Sequence, residues 1–353
     1  MMKVLIVDDS AVFRTQISHV LSGHEGIEVV GTAGNGKIAL QKLEQLSVDL
    51  VTLDMEMPEL SGLETLKLIR EKKLNVKVII FSSQTFKGAK LALDALSAGA
   101  DDVVTKPSGD HLTLELAQQM IKESLIPRVL QFRKSDPKPT APSIPTNLAG
   151  NVFTEAKPKK LIASFLPDAL VIASSTGGPT ALETLFSFLK RPYKIPIFLT
   201  QHMPPVFTQI LGKRLSELTG NIFREAIHGE IVKEGIIYIA PGDYLMHLKK
   251  SGMEVKIELS QLPQRNSVRP AADYMFETAS EIYSNKLLGV VLTGMGEDGA
   301  VGARAIRNNG GAILIQNKES CVVFGMPGAV FNNNDFDGMG NLEYLASILG
   351  AKL

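Results

Sequence analysis

Cysteine occurs once in the 353 residues, at Cys321, so no intramolecular disulfide can staple the fold. Net charge is lacking too. The 37 Lys and Arg residues equal the 37 Asp and Glu residues, which leaves no overall field to draw the whole chain to nucleic acid or anionic lipid, and a charge-driven partner must meet a local patch. No apolar run approaches the roughly 18 residues of a membrane span. The opening Met1-Met2-Lys3, followed by Val4 to Val7 and two aspartates, does not read as a signal peptide. A cytoplasmic protein without membrane insertion is expected. The turn from Ser174 to Pro179 lacks the G-x-G-x-x-G dinucleotide fingerprint, and no Cys/His cluster has zinc spacing. What remains is 44% hydrophobic and 21% charged, an ordinary globular composition. At about 100 to 200 residues per domain, the length implies two domains or one large one.

Short apolar runs alternate with helix-like stretches from the N-terminus: Val4 to Val7, Val29 to Gly31, Leu50 to Leu53, Val76 to Phe81 and Val103 to Val104. Five such runs, with crossovers long enough for helices, imply a five-stranded parallel sheet with helices on both faces. Residues 126 to 165 break the pattern with Pro127, Pro137, Pro139, Pro142, Pro145 and Pro158 and a basic excess. They read as a proline-rich linker between a domain at 1–125 and another at 166–353. The second domain repeats the α/β alternation at Ala169 to Ala173, Ile195 to Leu199, Ile236 to Ile239, Leu287 to Leu292 and Ala312 to Ile315. It is expected to be a doubly wound α/β domain. The runs Tyr244 to Leu248 and Val255 to Leu259 flank Ser251-Gly252 and suit an inserted β-hairpin.

Chemistry gathers at the predicted strand ends. Asp8 and Asp9 close the first strand and Asp54 the third, so a parallel sheet brings three carboxylates to its carboxyl edge. Their mutual repulsion calls for a hard cation such as Mg²⁺, which suits oxygen ligands and leaves room for phosphate. Ser82 and Lys106 follow the fourth and fifth strands and offer a hydroxyl and an ammonium to an incoming phosphoryl group, with Asp54 as its acceptor. The segments Leu5-Ile6-Val7-Asp8-Asp9-Ser10, Asp54-Met55-Glu56-Met57-Pro58 and Thr105-Lys106-Pro107 resemble a two-component receiver domain. That resemblance implies a flavodoxin-like fold and the Glu56 carbonyl as a further metal ligand. One position departs from it: Val103 stands where receivers usually carry an aromatic residue, three before the lysine.

In the second domain a strand runs into Ser174-Ser175-Thr176-Gly177-Gly178-Pro179 and then a helix-like stretch. Small residues at a helix start suit either a nucleophilic serine with backbone donors for an oxyanion or a capping and phosphate-binding turn. The next strand ends at His202, and a later one leads to Asp298 in a glycine-rich loop. Serine, histidine and aspartate after three strands can converge as nucleophile, acid–base and tautomer-fixing partner. His228 is an alternative base, whereas His19, His24, His111 and His247 read as structural.

Ser175-Thr176-Gly177-Gly178-Pro179, Gln201-His202-Met203-Pro204, Ala240-Pro241-Gly242-Asp243, Thr293-Gly294-Met295-Gly296 with Asp298-Gly299, and Gly325-Met326-Pro327 resemble the catalytic domain of the chemotaxis protein-glutamate methylesterase (CheB) family. The resemblance implies a triad of Ser175, His202 and Asp298, with the Thr176 and Met295 amides as oxyanion donors. It implies hydrolysis of glutamate methyl esters on chemoreceptors, deamidation of receptor glutamines, a chemotaxis histidine kinase as phosphodonor, and obstruction of the site by the unphosphorylated receiver. Mg²⁺ would serve the receiver alone, and the esterase would need no cofactor. Ala173-Ser174 departs from the usual Gly-Ala before the nucleophile and leaves two adjacent serines. Ala271 stands after Arg269-Pro270 where a serine is common. Two other functions compete: a phosphorylation-controlled binding protein, and a transcriptional regulator. For the latter the second half lacks the basic stripe a DNA partner would need.

Overall fold

The computed structural model describes residues 1–109, 112–133, 164–189 and 192–353. Strands β1 (Met2–Val7), β2 (Ile27–Ala33), β3 (Leu50–Asp54), β4 (Lys77–Ser82) and β5 (Asp102–Thr105) form one parallel sheet in the order β2-β1-β3-β4-β5. Helices α1 (Ala11–Ser22), α2 (Gly36–Gln45), α3 (Gly62–Glu71), α4 (Phe86–Ser97) and α5 (Leu114–Leu130) make the crossovers and the C-terminal cover. The helix starts follow from local chemistry. Ser10, Asn35, Ser61, Thr85 and Thr113 each accept an amide of the first turn, as short polar side chains do at that position.

Helix α5 corrects the expected start of the linker. It continues past residue 125 to Leu130, with Pro127 inside it, because Ile126 and Val129 extend the buried stripe of Ile121 and Leu125. Burial along that stripe outweighs the one hydrogen bond that proline removes near the helix end. Residues 134–163, most of the expected linker, lie outside the described residues.

The second sheet has seven parallel strands in the order β14-β13-β12-β6-β7-β9-β8. They are β6 (Ala169–Ser174), β7 (Ile197–Gln201), β8 (Ile222–Glu225), β9 (Ile236–Ile239), β12 (Leu287–Val291), β13 (Ala312–Gln316) and β14 (Gly338–Gly340). Helices α6 (Gly178–Phe188), α7 (Phe207–Thr219), α8 (Ala272–Tyr283), α9 (Ala300–Asn308), α10 (Met326–Asn332) and α11 (Leu342–Gly350) cover both faces. Strands β6, β7, β12 and β13 are buried at every residue, as near-continuous apolar runs in parallel sheets are. The short edge strands β8 and β14 carry no such run. The hairpin strands β10 (Leu245–Ser251) and β11 (Glu254–Ser260) turn at Gly252-Met253 and form a separate two-stranded sheet. That sheet packs on α8, where Thr278 accepts the Leu248 amide.

From β6 the chain winds one way to β7 and later returns to β12 on the other side, so β6 marks the switch point of the sheet. Open α/β folds place their crevice beyond the carboxyl ends at such a point. Ala173 pairs with Val291 and Ser174 with Gln201. Ser175, His202 and the loop from Leu292 to Asp298 therefore leave the sheet at one level.

The two domains touch. Helix α4 packs on α6 and α7, and Arg214 of α7 ion-pairs with Asp94 of α4 and Glu183 of α6 while bonding Ser97. Further along the seam, the Thr176 hydroxyl donates to Asp102 at the start of β5.

Candidate active site

At the carboxyl edge of the first sheet, Asp8, Asp9 and Asp54 each place a carboxylate oxygen within 4.8 Å of the others. Asp8 and Asp54 are buried and Asp9 is exposed. Lys106 lies 2.8 Å from Asp8 and 3.0 Å from Asp54. Burial pushes the Asp54 carboxyl up to about 6, against the pull of Lys106 and with the push of Asp8. Burial also works against the Lys106 charge, but its bonds and attraction to the two aspartates outweigh that and hold the ammonium above the usual lysine range. The Met55 amide donates to Asp54 at 2.8 Å. Ser82 ends β4 beside this edge, its hydroxyl donating to the Gly88 carbonyl at 3.0 Å. The Glu56 side chain turns away to Lys87.

At the carboxyl edge of the second sheet, His202 Nε2 is 2.7 Å from Asp298 Oδ2. Burial opposes ionisation of Asp298. The hydrogen bond and charge of His202, with the Ala272 and Asp273 amides, outweigh burial and hold the carboxyl below its usual range. An ionised Asp298 can only accept, so Nε2 carries the proton and Nδ1 is left as the basic nitrogen. Ser175 follows β6 and lines, with His202, a cavity of about 260 Å³. Asp102, Val103, Thr105 and Arg128 of the first domain line the same cavity.

The adjacent serines differ sharply. Ser174 is fully buried, and its hydroxyl donates to Gln201 Oε1 at 2.6 Å. Ser175 is partly exposed and borders the cavity. Gln201 also donates to the Ser175 carbonyl at 3.0 Å, and the Ser175 amide donates to the Thr293 carbonyl at 3.0 Å. The turn is tight enough to demand glycine. A Cβ on Gly294 would sit 2.8 Å from the Ser175 Cβ and 2.3 Å from the Met326 sulfur, and Gly177 holds φ 75° against Val322. Neither the Thr176 nor the Met295 amide donates to another group among the described residues. The alternative base His228 is exposed and sits instead against the hairpin, where its Nδ1 accepts the Leu259 amide at 3.0 Å.

Two groups at this edge escaped the sequence reading. Asp273, in the first turn of α8, is fully buried and accepts the Gly299 and Gly302 amides. Burial, and then the neighbouring Asp298 charge, push it up to about 6. Asn266 donates to both Asp273 and Asp298. Neither has a sequence signature beyond its nearness to Arg269-Pro270.

A five-stranded sheet with an acidic edge, joined to a seven-stranded sheet with serine, histidine and aspartate at its switch point, defines a receiver domain coupled to an α/β effector. Comparison with known proteins gives the same division. The response regulator receiver domain family matches residues 4–118, and the CheB methylesterase family matches residues 170–349. A protein-glutamate methylesterase/protein-glutamine glutaminase of Trichodesmium erythraeum is 42% identical over 348 residues, covering 98% of this chain and 97% of that one. One of Thermotoga maritima is 38% identical over 335 residues, covering 95% and 94%. The crystal structure of the Thermotoga maritima CheB methylesterase catalytic domain aligns with a TM-score of 0.52 at 40% identity, over 53% of this chain and 99% of that one. The chain belongs to the CheB methylesterase family, with a receiver domain in front. No helix among the described residues is long and apolar enough to cross a membrane.

Proposed function

We propose that this protein hydrolyses glutamate γ-methyl esters on chemoreceptors, and deamidates receptor glutamines, under control of phosphorylation at Asp54. The receiver would comprise residues 1 to about 130 and the esterase about 166 to 353, both in the cytoplasm. The observation that carries the reading is the His202–Asp298 hydrogen bond at the edge of the cavity that Ser175 borders.

In this reading Ser175 Oγ attacks the ester carbonyl while His202 Nδ1 takes its proton. The acyl–oxygen bond to the methoxy group breaks, His202 returns the proton, and methanol leaves an acyl-serine. Water, activated by His202, then attacks the acyl carbon, frees the glutamate carboxylate and restores the serine. The Thr176 and Met295 amides, which donate to no other group among the described residues, support the developing oxyanion. Asp298 stays ionised and holds the imidazole tautomer.

The receiver edge fits a divalent cation: three carboxylate oxygens lie within 4.8 Å of one another, and the single ammonium of Lys106 does not balance them. Asp8, Asp9, Asp54 and the Glu56 carbonyl would hold Mg²⁺. When bound, the ion supplies charge that offsets an incoming phosphoryl group. Asp54 accepts that group from a chemotaxis histidine kinase, and Lys106 and Ser82 bind its oxygens, Ser82 by releasing the Gly88 carbonyl. Methanol release from methylated receptor membranes tests the function: it should occur, and rise with Mg²⁺ and acetyl phosphate. Absence of methanol under both conditions refutes the reading.

A further inference from the structure

Two helices of the esterase domain exchange the carboxylates that satisfy their first turns. Asp298, two residues ahead of α9, accepts the Ala272 and Asp273 amides at the start of α8, at 2.6 and 3.1 Å. Asp273, inside the first turn of α8, accepts the Gly299 and Gly302 amides at the start of α9, at 3.0 and 2.8 Å. Free amides at helix starts favour anions, and here each helix carries the anion for the other. Asn266 Nδ2 spans the pair, 3.2 Å from Asp273 Oδ2 and 3.4 Å from Asp298 Oδ1. Its neighbours Gln264, Ser267, Val268 and Arg269 line the cavity that holds Ser175 and His202.

We propose that Asp273 and Asn266 are positioning residues of the esterase: they hold the Asp298 carboxylate on His202 and tie it to the loop that walls the substrate cavity. The inference rests on the roles proposed for His202 and Asp298. Both Asp298 oxygens are occupied, Oδ2 by His202 and Ala272, Oδ1 by the Asp273 amide and Asn266. Beside Asp298 the loop is tied to α8 twice, by the Gly299 and Gly302 amides on the Asp273 carboxylate and by the Asp298 carboxylate on the Ala272 and Asp273 amides. Without the Asp273 carboxylate one of these two ties is lost, and a small displacement of Asp298 turns the imidazole bonded to it. Displacement of about 1 Å at a catalytic group costs roughly a hundredfold in rate.

The test uses the full chain with acetyl phosphate and Mg²⁺, and measures kcat and KM for methanol release, the melting temperature, and the low-field proton resonance of the His202–Asp298 bond. Asp273→Asn keeps the side chain's shape but sets an amide near Asn266 and near Arg265, whose guanidinium lies 3.7 Å from the Asp273 carboxylate. It should lower kcat by roughly ten- to a hundredfold with KM nearly unchanged, as lost supporting hydrogen bonds do. Asn266→Ala should lower kcat about tenfold, raise KM through the loop, and shift the same resonance. A merely structural role would lower the melting temperature and leave kcat and the resonance of the folded enzyme alone, which overturns the proposal. Should Asp273→Asn fail to fold, Asn266→Ala, on an exposed turn, decides by itself, and wild-type kcat with an unshifted resonance sinks the idea. Asp298→Ala separates the premise from the inference: full activity there refutes the Ser–His–Asp reading itself.

Discussion

The Thr176 hydroxyl lies 2.8 Å from the Asp102 carboxylate, so a side chain from the edge strand of the receiver grips the turn that carries Ser175. Arg128 and Gln131 of the receiver hold Asp102 in place. A hydrogen bond to a charged group contributes about 1.5 to 3 kcal/mol, enough to bias docking between tethered domains. Asp102→Ala should therefore raise methanol release by the unphosphorylated full chain several-fold. Arg214→Ala, which unfastens α4 from α7, should act in the same direction. Unchanged basal activity in both variants would mean that this seam does not restrain the enzyme.

The two serines make opposite predictions. Ser175→Ala should lower activity by about a thousandfold or more, leaving what binding and oxyanion donors provide. Ser174→Ala should keep most activity and lose about 1 to 3 kcal/mol of stability, because it strands Gln201 Oε1 in a buried site. Methanol release and denaturant unfolding on the same preparations separate the two effects.

As the proposed phosphoryl acceptor, Asp54 would link phosphorylation to pH. Burial raises its carboxyl from the usual 3.8 to about 6, so between these values the folded chain keeps a proton that the unfolded chain has released. This group's contribution to stability is full below about pH 4 and declines as pH rises towards 6. Asp54→Asn does not titrate. Its stability relative to the parent should grow from pH 4 to pH 7 by on the order of 2 kcal/mol, and Mg²⁺ at pH 7 should narrow the gap by favouring the ionised parent. The variant should also take no label from acetyl phosphate. A pH-independent difference would show that the Asp54 carboxyl is not held above its usual range.

A fragment beginning near Leu161 removes Asp102, Val103 and Arg128 from the wall of the cavity. It should be more active than the unphosphorylated full chain and indifferent to phosphodonor, when both are assayed at equal concentration. Lower activity in the fragment would show that the receiver helps to build the substrate site.

The parts of this fold that were legible in sequence are those written in local pattern. Buried strands such as β6 and β12 read as unbroken apolar runs, Asp54 ends β3, His202 follows β7, and Asp298 lies in the loop after β12. Of the edge strands, β8 is short and mixed in polarity and β14 is only Gly-Met-Gly, so neither carries a periodic signal. Helix α5 runs past the expected domain boundary at 125 because Val129 finds a buried place that proline content alone does not foretell. Asp273, Asn266 and Asp102 were hidden for a different reason: Asp273 meets Gly299 and Gly302, Asn266 meets Asp298 and Asp102 meets Thr176, all 26 or more residues away, and such long-range pairing leaves no mark on the neighbouring sequence. The choice between Ser174 and Ser175 rested on resemblance until the geometry gave the buried hydroxyl to Gln201.

The exchanged carboxylates of α8 and α9 make the beginnings of the two helices a single cooperative unit, since neither first turn can open without stranding amides of the other. Backbone hydrogens at Ala272, Asp273, Gly299 and Gly302 should therefore exchange with solvent together, and late. An acid–base arm locked in this way resists being loosened by a neighbour that merely leans on it. In the proposed reading, control by the receiver would then be a matter of admission to the cavity, leaving the bond between His202 and Asp298 untouched.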